Sequence, residues 1–407
     1  MAPVTGTGAS PPRSPLRVFV VAGEPSGDLL GGRVMQALAD QVTAAGGPWS
    51  GVRYAGVGGA RMQAAGLDSL FPLDELAVMG LAEVLPRLPR LLRRLDQTVA
   101  AVRAFAPHLL LTIDAPDFSL RVAARVKALG LPARRIHLVA PSVWAWRPGR
   151  ARTLAGILDH LLALLPFEPP YFQREGLACT FIGHPVLESA AACGDGPAFR
   201  KAHGIAPAAP LLVALPGSRK GEVSRLLPLF GETVARLRRQ LPGLVVAVPT
   251  VERMEAPVAQ AAAAWAAPVH VLTDEAAKFA AFAAGNAALA ASGTVALELA
   301  MARLPAVITY RLNPLTGFLA RRLLTLRWVS LVNILLEREV MPEYLLDRAR
   351  PDTLAPALFH LLTEPVAQAA QHAGAADALA RLGSDDPLPP SVRAARCLLA
   401  CVAGMPA

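Results

Sequence analysis

Short apolar runs alternate along this chain with longer stretches whose apolar residues recur at helical spacing, the pattern of doubly wound α/β domains. In the first half the runs are Val18–Ala22, Val52–Val57, Leu109–Ile113, Ile136–Val139, Leu161–Leu165 and Thr180–Ile182. In the second half they are Leu211–Leu215, Leu244–Val248, Val269–Leu272, Ala287–Ala291 and Ala306–Tyr310. Several feed directly into small or polar residues: Gly23, Asp114, Pro141-Ser142, His184, Pro216-Gly217-Ser218 and Ser292-Gly293. Strand ends of this kind are where open parallel sheets bind ligands. The pattern predicts an α/β chain of two Rossmann-like domains facing each other across a cleft. We expect a disordered extension over 1–16, a first domain over 17–188, a linker region rich in Ala, Gly and Pro over 189–210, and a second domain over 211–382. A last helix within 383–407 is expected to cross back to the first domain.

A length of 407 residues accommodates two domains of ordinary size. Hydrophobic residues make up 53% and mean hydropathy is +0.40, yet no stretch reaches the ~18 uncharged apolar residues of a membrane span. Leu154–Leu165, for instance, is cut by Asp159 and His160. The chain is therefore expected to touch a membrane at most, not to cross one. Only 17% of residues are charged, which excludes general disorder. Net charge is +9, from 36 Arg, 4 Lys and 31 acidic residues. In so Ala-rich a chain the Arg excess partly reflects codon composition, but a basic protein remains, suited to nucleic acid, anionic lipid or phosphorylated substrates. Aromatic residues are 5% and do not interleave with basic runs, which argues against nucleic acid. The four cysteines form no C-x-x-C pair, and Cys397 and Cys401 on the helical tail read as core packing. Met1–Pro15 lacks the apolar segment of a signal peptide, so a cytoplasmic protein is expected.

Four loops suit chemistry. Asp114 and Asp117 follow the strand Leu109–Ile113. A carboxylate at the end of a buried strand can act as a base, and the alternative for either residue is to cap the next helix. Gly23-Glu24-Pro25-Ser26-Gly27-Asp28 follows the first strand and opens a helix with apolar face Leu29, Leu30, Val34, Leu38. There Gly27 permits close approach and Ser26 can cap. The loop matches neither G-x-G-x-x-G nor G-x-S-x-G, so a nicotinamide enzyme and a serine hydrolase gain no support. In the second half, Leu215-Pro-Gly-Ser218-Arg219 places a tight turn, a hydroxyl and a guanidinium after a strand. Ser292, Gly293 and Thr294 open a helix, with Glu298 one turn on. Together these suit a diphosphate, with Glu298 as acceptor for a ribose diol. There is no D-x-D pair and no metal-ligand spacing among the histidines, so no metal or other cofactor is expected. Met79–Leu95 carries Arg87, Arg90, Arg93 and Arg94 among leucines, and Phe318–Trp328 has the same basic-apolar character. Each reads either as a contact with an anionic membrane surface or as a core-facing helix with solvated arginines. Trp144 and Trp146, beside a strand end, suit packing or sugar stacking equally.

At these residues the sequence resembles the lipid-A-disaccharide synthases, inverting glycosyltransferases of outer-membrane biosynthesis in Gram-negative bacteria. The matching stretches are Ala22–Asp28, Glu75–Gly80, Ile113–Phe118, Pro141–Arg147, Leu165–Glu168, Phe181–His184, Leu215–Arg219, Ala291–Thr294 and Val329–Asn333, in family order over about residues 17–350. Pro25 and Ala60 depart from the family's pattern without removing a polar group. The resemblance implies the GT-B fold, with an N-terminal acceptor domain and a C-terminal UDP-sugar domain, and metal-independent catalysis. It implies UDP-2,3-diacylglucosamine as donor and 2,3-diacylglucosamine 1-phosphate (lipid X) as acceptor, at an anionic membrane surface. Carried over by position, Asp114 is the catalytic carboxylate. Ser218, Arg219, Ser292, Gly293, Thr294, Glu298 and Asn333 serve the nucleotide, and Glu24, Ser26, Gly27 and Asp28 line the sugar side. The implied location is the cytoplasmic face of the inner membrane, and a homo-oligomer is left open. The rival readings are another UDP-sugar enzyme of the same fold, such as a UDP-N-acetylglucosamine 2-epimerase, and a non-catalytic nucleotide-sensing protein at a membrane.

Overall fold

A computed structural model describes residues 13–44, 48–76, 81–311 and 327–403, with the backbone alone for 81–87. Most of the expected extension, residues 77–80 and most of Phe318–Trp328 lie outside the described residues. The chain divides into two compact units, Met1–Pro185 with Leu388–Ala407, and Val186–Pro387.

The first unit is built on six parallel strands: β1 (Leu16–Ala22), β2 (Val52–Val57), β3 (Leu109–Ile113), β4 (Arg134–Leu138), β5 (His160–Ala163) and β6 (Cys179–Phe181). Their order is β2-β1-β3-β4-β5-β6. The central strands are largely apolar because both faces are covered by helices, with Thr112 of β3 and His137 of β4 as buried polar exceptions. Period-two alternation then divides each strand between two cores. Leu16, Val18, Val20 and Ala22 of β1 join Leu109, Leu111 and Ile113 of β3 on one face, while Phe19, Val21 and Leu110 pack into the other. The helix Pro390–Val402 lies on the first face, against the helix Pro25–Ala44, with Ala394, Ala395, Leu398 and Val402 buried there.

The second unit repeats the plan with β7 (Leu211–Leu215), β8 (Val245–Pro249), β9 (Val269–Leu272), β10 (Ala287–Ala291), β11 (Ala306–Tyr310) and β12 (Glu343–Leu345). Their order is β12-β11-β10-β7-β8-β9, and every pair is parallel. Residues 189–210 hold a helical turn, Ala190–Ala192, and the helix Gly196–Ala202, capped by Asp195. Phe199 and Ile205 of this segment are buried in the second unit's core, and Arg200 donates to the carbonyls of Ala209 and Ala284. β12 follows no apolar run: it is three residues long and carries a buried Glu343.

Candidate functional site

Both sheets are doubly wound, and each has one point where the chain reverses its direction of travel across the sheet. In such sheets ligands bind beyond the carboxyl ends of the strands at that point. In the first unit it lies between β1 and β3, since β2 is added on one side and β4 to β6 on the other. The two loops leaving it are Gly23–Asp28 and Asp114–Pro116, and they touch: the Ser26 hydroxyl donates to Asp114 Oδ2 at 3.1 Å. The other oxygen, Oδ1, accepts from the Ala115 N–H at 2.9 Å. Asp114 itself is anchored by its own N–H on the Leu138 carbonyl of β4.

The backbone here is strained. Asp114 and Ala115 both have positive φ, 51° and 42°, and so do Val139 (81°) and Arg147 (55°) around the same cavity. Left-handed backbone costs a non-glycine residue about 1–3 kcal/mol and persists where the surroundings enforce it, as at functional sites. Gly23 makes the turn possible, because a Cβ there would stand 2.4 Å from the Ala115 Cβ. Asp114 borders a cavity of about 220 Å³ whose lining includes Ser142, Trp146, Arg147 and Arg150. Asp117, the alternative carboxylate, lies in the first turn of the helix Pro116–Ala128 with its side chain 95% exposed, 3.4 Å from Arg150.

The remaining residues of the first loop divide by role. Glu24 is half-buried and Gly27 buried against the carbonyl of Ile113. Asp28 is turned inward: it is buried and accepts from the N–H groups of Gly59, Arg61 and Met62 at 2.7, 3.0 and 3.1 Å. It therefore positions the loop after β2 and has no face on the cavity's polar wall. Two buried groups that sequence reasoning passed over support that wall from behind. His137 on β4 is fully buried with Nδ1 2.8 Å from the Thr112 hydroxyl. Burial, with Arg150 nearby, lowers its pKa to about 3, so it is neutral. Glu168 receives the Trp144 indole N–H at 3.2 Å and the Leu165 N–H at 3.0 Å, fixing the Pro141–Arg147 loop.

Burial raises the Glu168 pKa to about 7. The folded chain thus holds a proton at Glu168 that the unfolded chain releases above its ordinary pKa of 4.5. This contribution to stability is whole below pH 4.5 and is lost as pH rises through about 7, ~3 kcal/mol across the window. Glu168→Gln removes it. The difference in unfolding free energy between parent and variant, from urea titrations below pH 4.5 and above pH 7, moves in the variant's favour by about that amount. A difference that does not change with pH rejects the assignment.

In the second unit the reversal falls between β7 and β10, where Leu215 lies beside Ala290. The loops Pro216–Arg219 and Ser292–Thr294 therefore leave neighbouring strand ends. Gly217 takes φ 100°, and a Cβ on it would come within 2.7 Å of Glu222. Glu222 accepts from the Tyr310 hydroxyl at 3.0 Å and pairs with Arg219 at 3.5 Å, while Arg253 donates to the Ser218 carbonyl. The Arg219 side chain stays 60% exposed. Gly293 and Thr294 are exposed, and the Ser292 hydroxyl donates to the Val329 carbonyl at 3.4 Å. Glu298 is paired with Lys278 at 2.6 Å, a cation absent from the sequence-based site.

Asn333 departs from its expected place against the nucleotide. It is fully buried, and its amide donates to the Met341 carbonyl and Glu343 while its oxygen accepts from the N–H groups of Val340 and Met341. Glu343 in turn accepts from the N–H groups of Val329 and Ser330, and Val329 supports Ser292. Asn333 is a positioning residue three steps behind the loop.

Of the arginines expected at a membrane, Arg90 and Arg93 are exposed on the helix Leu81–Phe105, with Leu88 and Leu92 exposed beside them. The Arg87 side chain lies outside the described residues. Arg94 is committed elsewhere: both its Nε and a terminal nitrogen donate to Glu75, at 2.9 and 2.7 Å, and it lies over Phe71. Those hydrogen bonds hold the Glu75 carboxyl below its ordinary range.

Solved structures with a similar fold include the glycotransferase of kitacinnamycin (TM-score 0.60, 16% identity, 96% of this chain and 100% of that one). Another is UDP-GlcNAc 2-epimerase from Neisseria meningitidis bound to UDP-GlcNAc (TM-score 0.56, 10% identity, 95% and 99%). Two Rossmann-like units of this kind define the GT-B class of fold, and at such identities the likeness carries the fold alone. A family model described as lipid-A-disaccharide synthetase matches residues 18–385. The lipid-A-disaccharide synthase of Rhodospirillum centenum is 54% identical over 385 residues, 95% of this chain and 94% of its own. The chain belongs to the lipid-A-disaccharide synthase family and is a glycosyltransferase. The epimerase alternative is not favoured.

Proposed function

We propose that the chain transfers 2,3-diacylglucosamine from its UDP derivative to the 6-hydroxyl of 2,3-diacylglucosamine 1-phosphate, with inversion, giving the β-1,6-linked disaccharide 1-phosphate and UDP. Asp114 takes the proton of the attacking hydroxyl. The glycosyl–phosphate bond breaks as the new glycosidic bond forms, and the electron pair leaves with UDP. One displacement inverts the anomeric centre and needs one base and no covalent nucleophile. Arg219, with Ser218 and the Ser292–Thr294 loop, balances the charge that develops on the diphosphate without a metal. Arg147 and Arg150 suit the acceptor's phosphate. The observation that carries this reading is the Asp114 carboxylate at the β1–β3 reversal point, hydrogen-bonded by Ser26 and bordering a cavity with two arginines.

The test is UDP release from UDP-2,3-diacylglucosamine in detergent and EDTA, with and without the acceptor. Release that depends on the acceptor and yields a disaccharide is expected. Folded protein that binds UDP and releases none from the donor would return the site to the epimerase or sensing readings.

Peripheral attachment to the anionic face of the inner membrane follows from the same reading, through Arg90 and Arg93 flanked by exposed Leu88 and Leu92. No described helix is long and apolar enough to cross a membrane. Replacing both arginines with alanine is expected to weaken binding to anionic vesicles roughly 30-fold, at about 1 kcal/mol per arginine. Raised salt acts in the same direction. Binding indifferent to both counts against this attachment.

A further inference from the structure

The helix Pro390–Val402 brings two thiols to the sheet of the first unit. Cys397 and Cys401 stand four residues apart and so share one face of the helix. Opposite them is His160, the first residue of β5. Cys397 Sγ lies 3.5 Å from His160 Nε2, and the ligand atoms of all three residues fall within 4.8 Å of one another. They are the only such trio of His, Cys, Asp or Glu among the described residues, and each is half-buried. The trio sits toward the amino end of the parallel strands, whereas Asp114 follows the carboxyl end of β3.

The geometry suits one class of ligand. In a tetrahedral site with a metal–sulfur bond of about 2.3 Å and a metal–nitrogen bond of about 2.0–2.1 Å, sulfur and nitrogen are about 3.6 Å apart, and two sulfurs about 3.8 Å. The observed sulfur–nitrogen separation already matches that edge, and rotation of a cysteine side chain supplies the rest. Two thiols and an imidazole form a donor set that takes zinc-class ions and discriminates against magnesium and calcium. We propose that His160, Cys397 and Cys401 bind a thiophilic divalent cation of the zinc class, which fastens the carboxyl-terminal helix to β5. Binding releases the two thiol protons to solvent. The imidazole exchanges its 2.9 Å contact with Thr180 Oγ1 for the ion, and the fourth position is left to water. The ion serves attachment rather than glycosyl transfer, because the helix is the segment by which the chain returns from the second unit to the first.

Cobalt(II) added to the reduced full-length chain is the probe. We expect the visible absorption of tetrahedral cobalt and a thiolate charge-transfer band, saturating at one equivalent and displaced by zinc. Both are lost in His160→Ala and in Cys397→Ser. Absence of the bands in the parent chain, or their survival in the variants, overturns the proposal. Should the variants fail to fold, alkylation of the parent chain decides the matter. Zinc is expected to protect Cys397 and Cys401 from N-ethylmaleimide while Cys193, which is exposed, continues to react. Equal labelling of Cys397 and Cys401 with and without zinc overturns the proposal as firmly.

Discussion

Replacing Asp114 with asparagine is expected to lower turnover by about 10²–10⁴-fold, the range ascribed to a positioned general base, while UDP affinity is unchanged. Asparagine keeps the shape of the side chain: its oxygen accepts from the Ala115 N–H, as Oδ1 does at 2.9 Å, and its amide can donate to the Ser26 hydroxyl, which in the parent donates to Oδ2 at 3.1 Å. It also tolerates left-handed backbone, so the φ of 51° at this position does not penalise the variant. What the substitution removes is the basic oxygen. The loops proposed to hold the nucleotide belong to the other unit, beyond β7 and β10, so the loss should fall on turnover in the UDP-release assay. Normal turnover with weakened UDP binding would contradict the role. Asp117→Asn serves as the control: its side chain is almost wholly in water, and turnover close to the parent's is expected.

Much of this arrangement is legible in the sequence. Eleven of the twelve strands announce themselves because a strand buried on both faces is largely apolar, and the loops that follow β1, β3, β7 and β10 stand out as the points where such runs give way to polar residues. Topology adds what the linear pattern lacks: each pair of loops flanks its sheet's reversal point, which is why Ser26 meets Asp114 across 88 residues. The misplaced details share one cause, pairing between distant residues. Arg94 looks like its neighbours on a basic stripe until Glu75 is found beside it. Asn333 lies in the short helix Leu331–Leu336, and its burial against Glu343 depends on the three-residue strand β12, which follows no apolar run. Lys278 gives no warning that it will neutralise Glu298. Cys397 and Cys401 pack as expected, but their nearness to His160 depends on the last helix returning to β5.

Arg219→Ala produces the converse effect, a loss in donor binding with little effect on stability. The native side chain is 60% exposed and its carboxylate partner, Glu222, lies 3.5 Å away. An exposed pair of this kind contributes about 0–1 kcal/mol to folding, and Glu222 keeps its hydrogen bond from Tyr310 when the guanidinium is gone. A hydrogen bond to a charged group in a complex is worth about 1.5–3 kcal/mol, so UDP affinity and donor KM should worsen by about 10- to 150-fold. Lysine restores charge but not the planar fork that meets two phosphate oxygens at once, so Arg219→Lys should recover only part of the loss. Titration calorimetry with UDP, alongside donor kinetics, measures both variants. Donor kinetics and UDP affinity equal to the parent's would remove Arg219 from the site. The contrast with Asp114→Asn is itself a test: one substitution moves turnover at constant UDP affinity, and the other moves UDP affinity. Substitutions that moved both quantities together would point to a single damaged structure rather than to two separable roles.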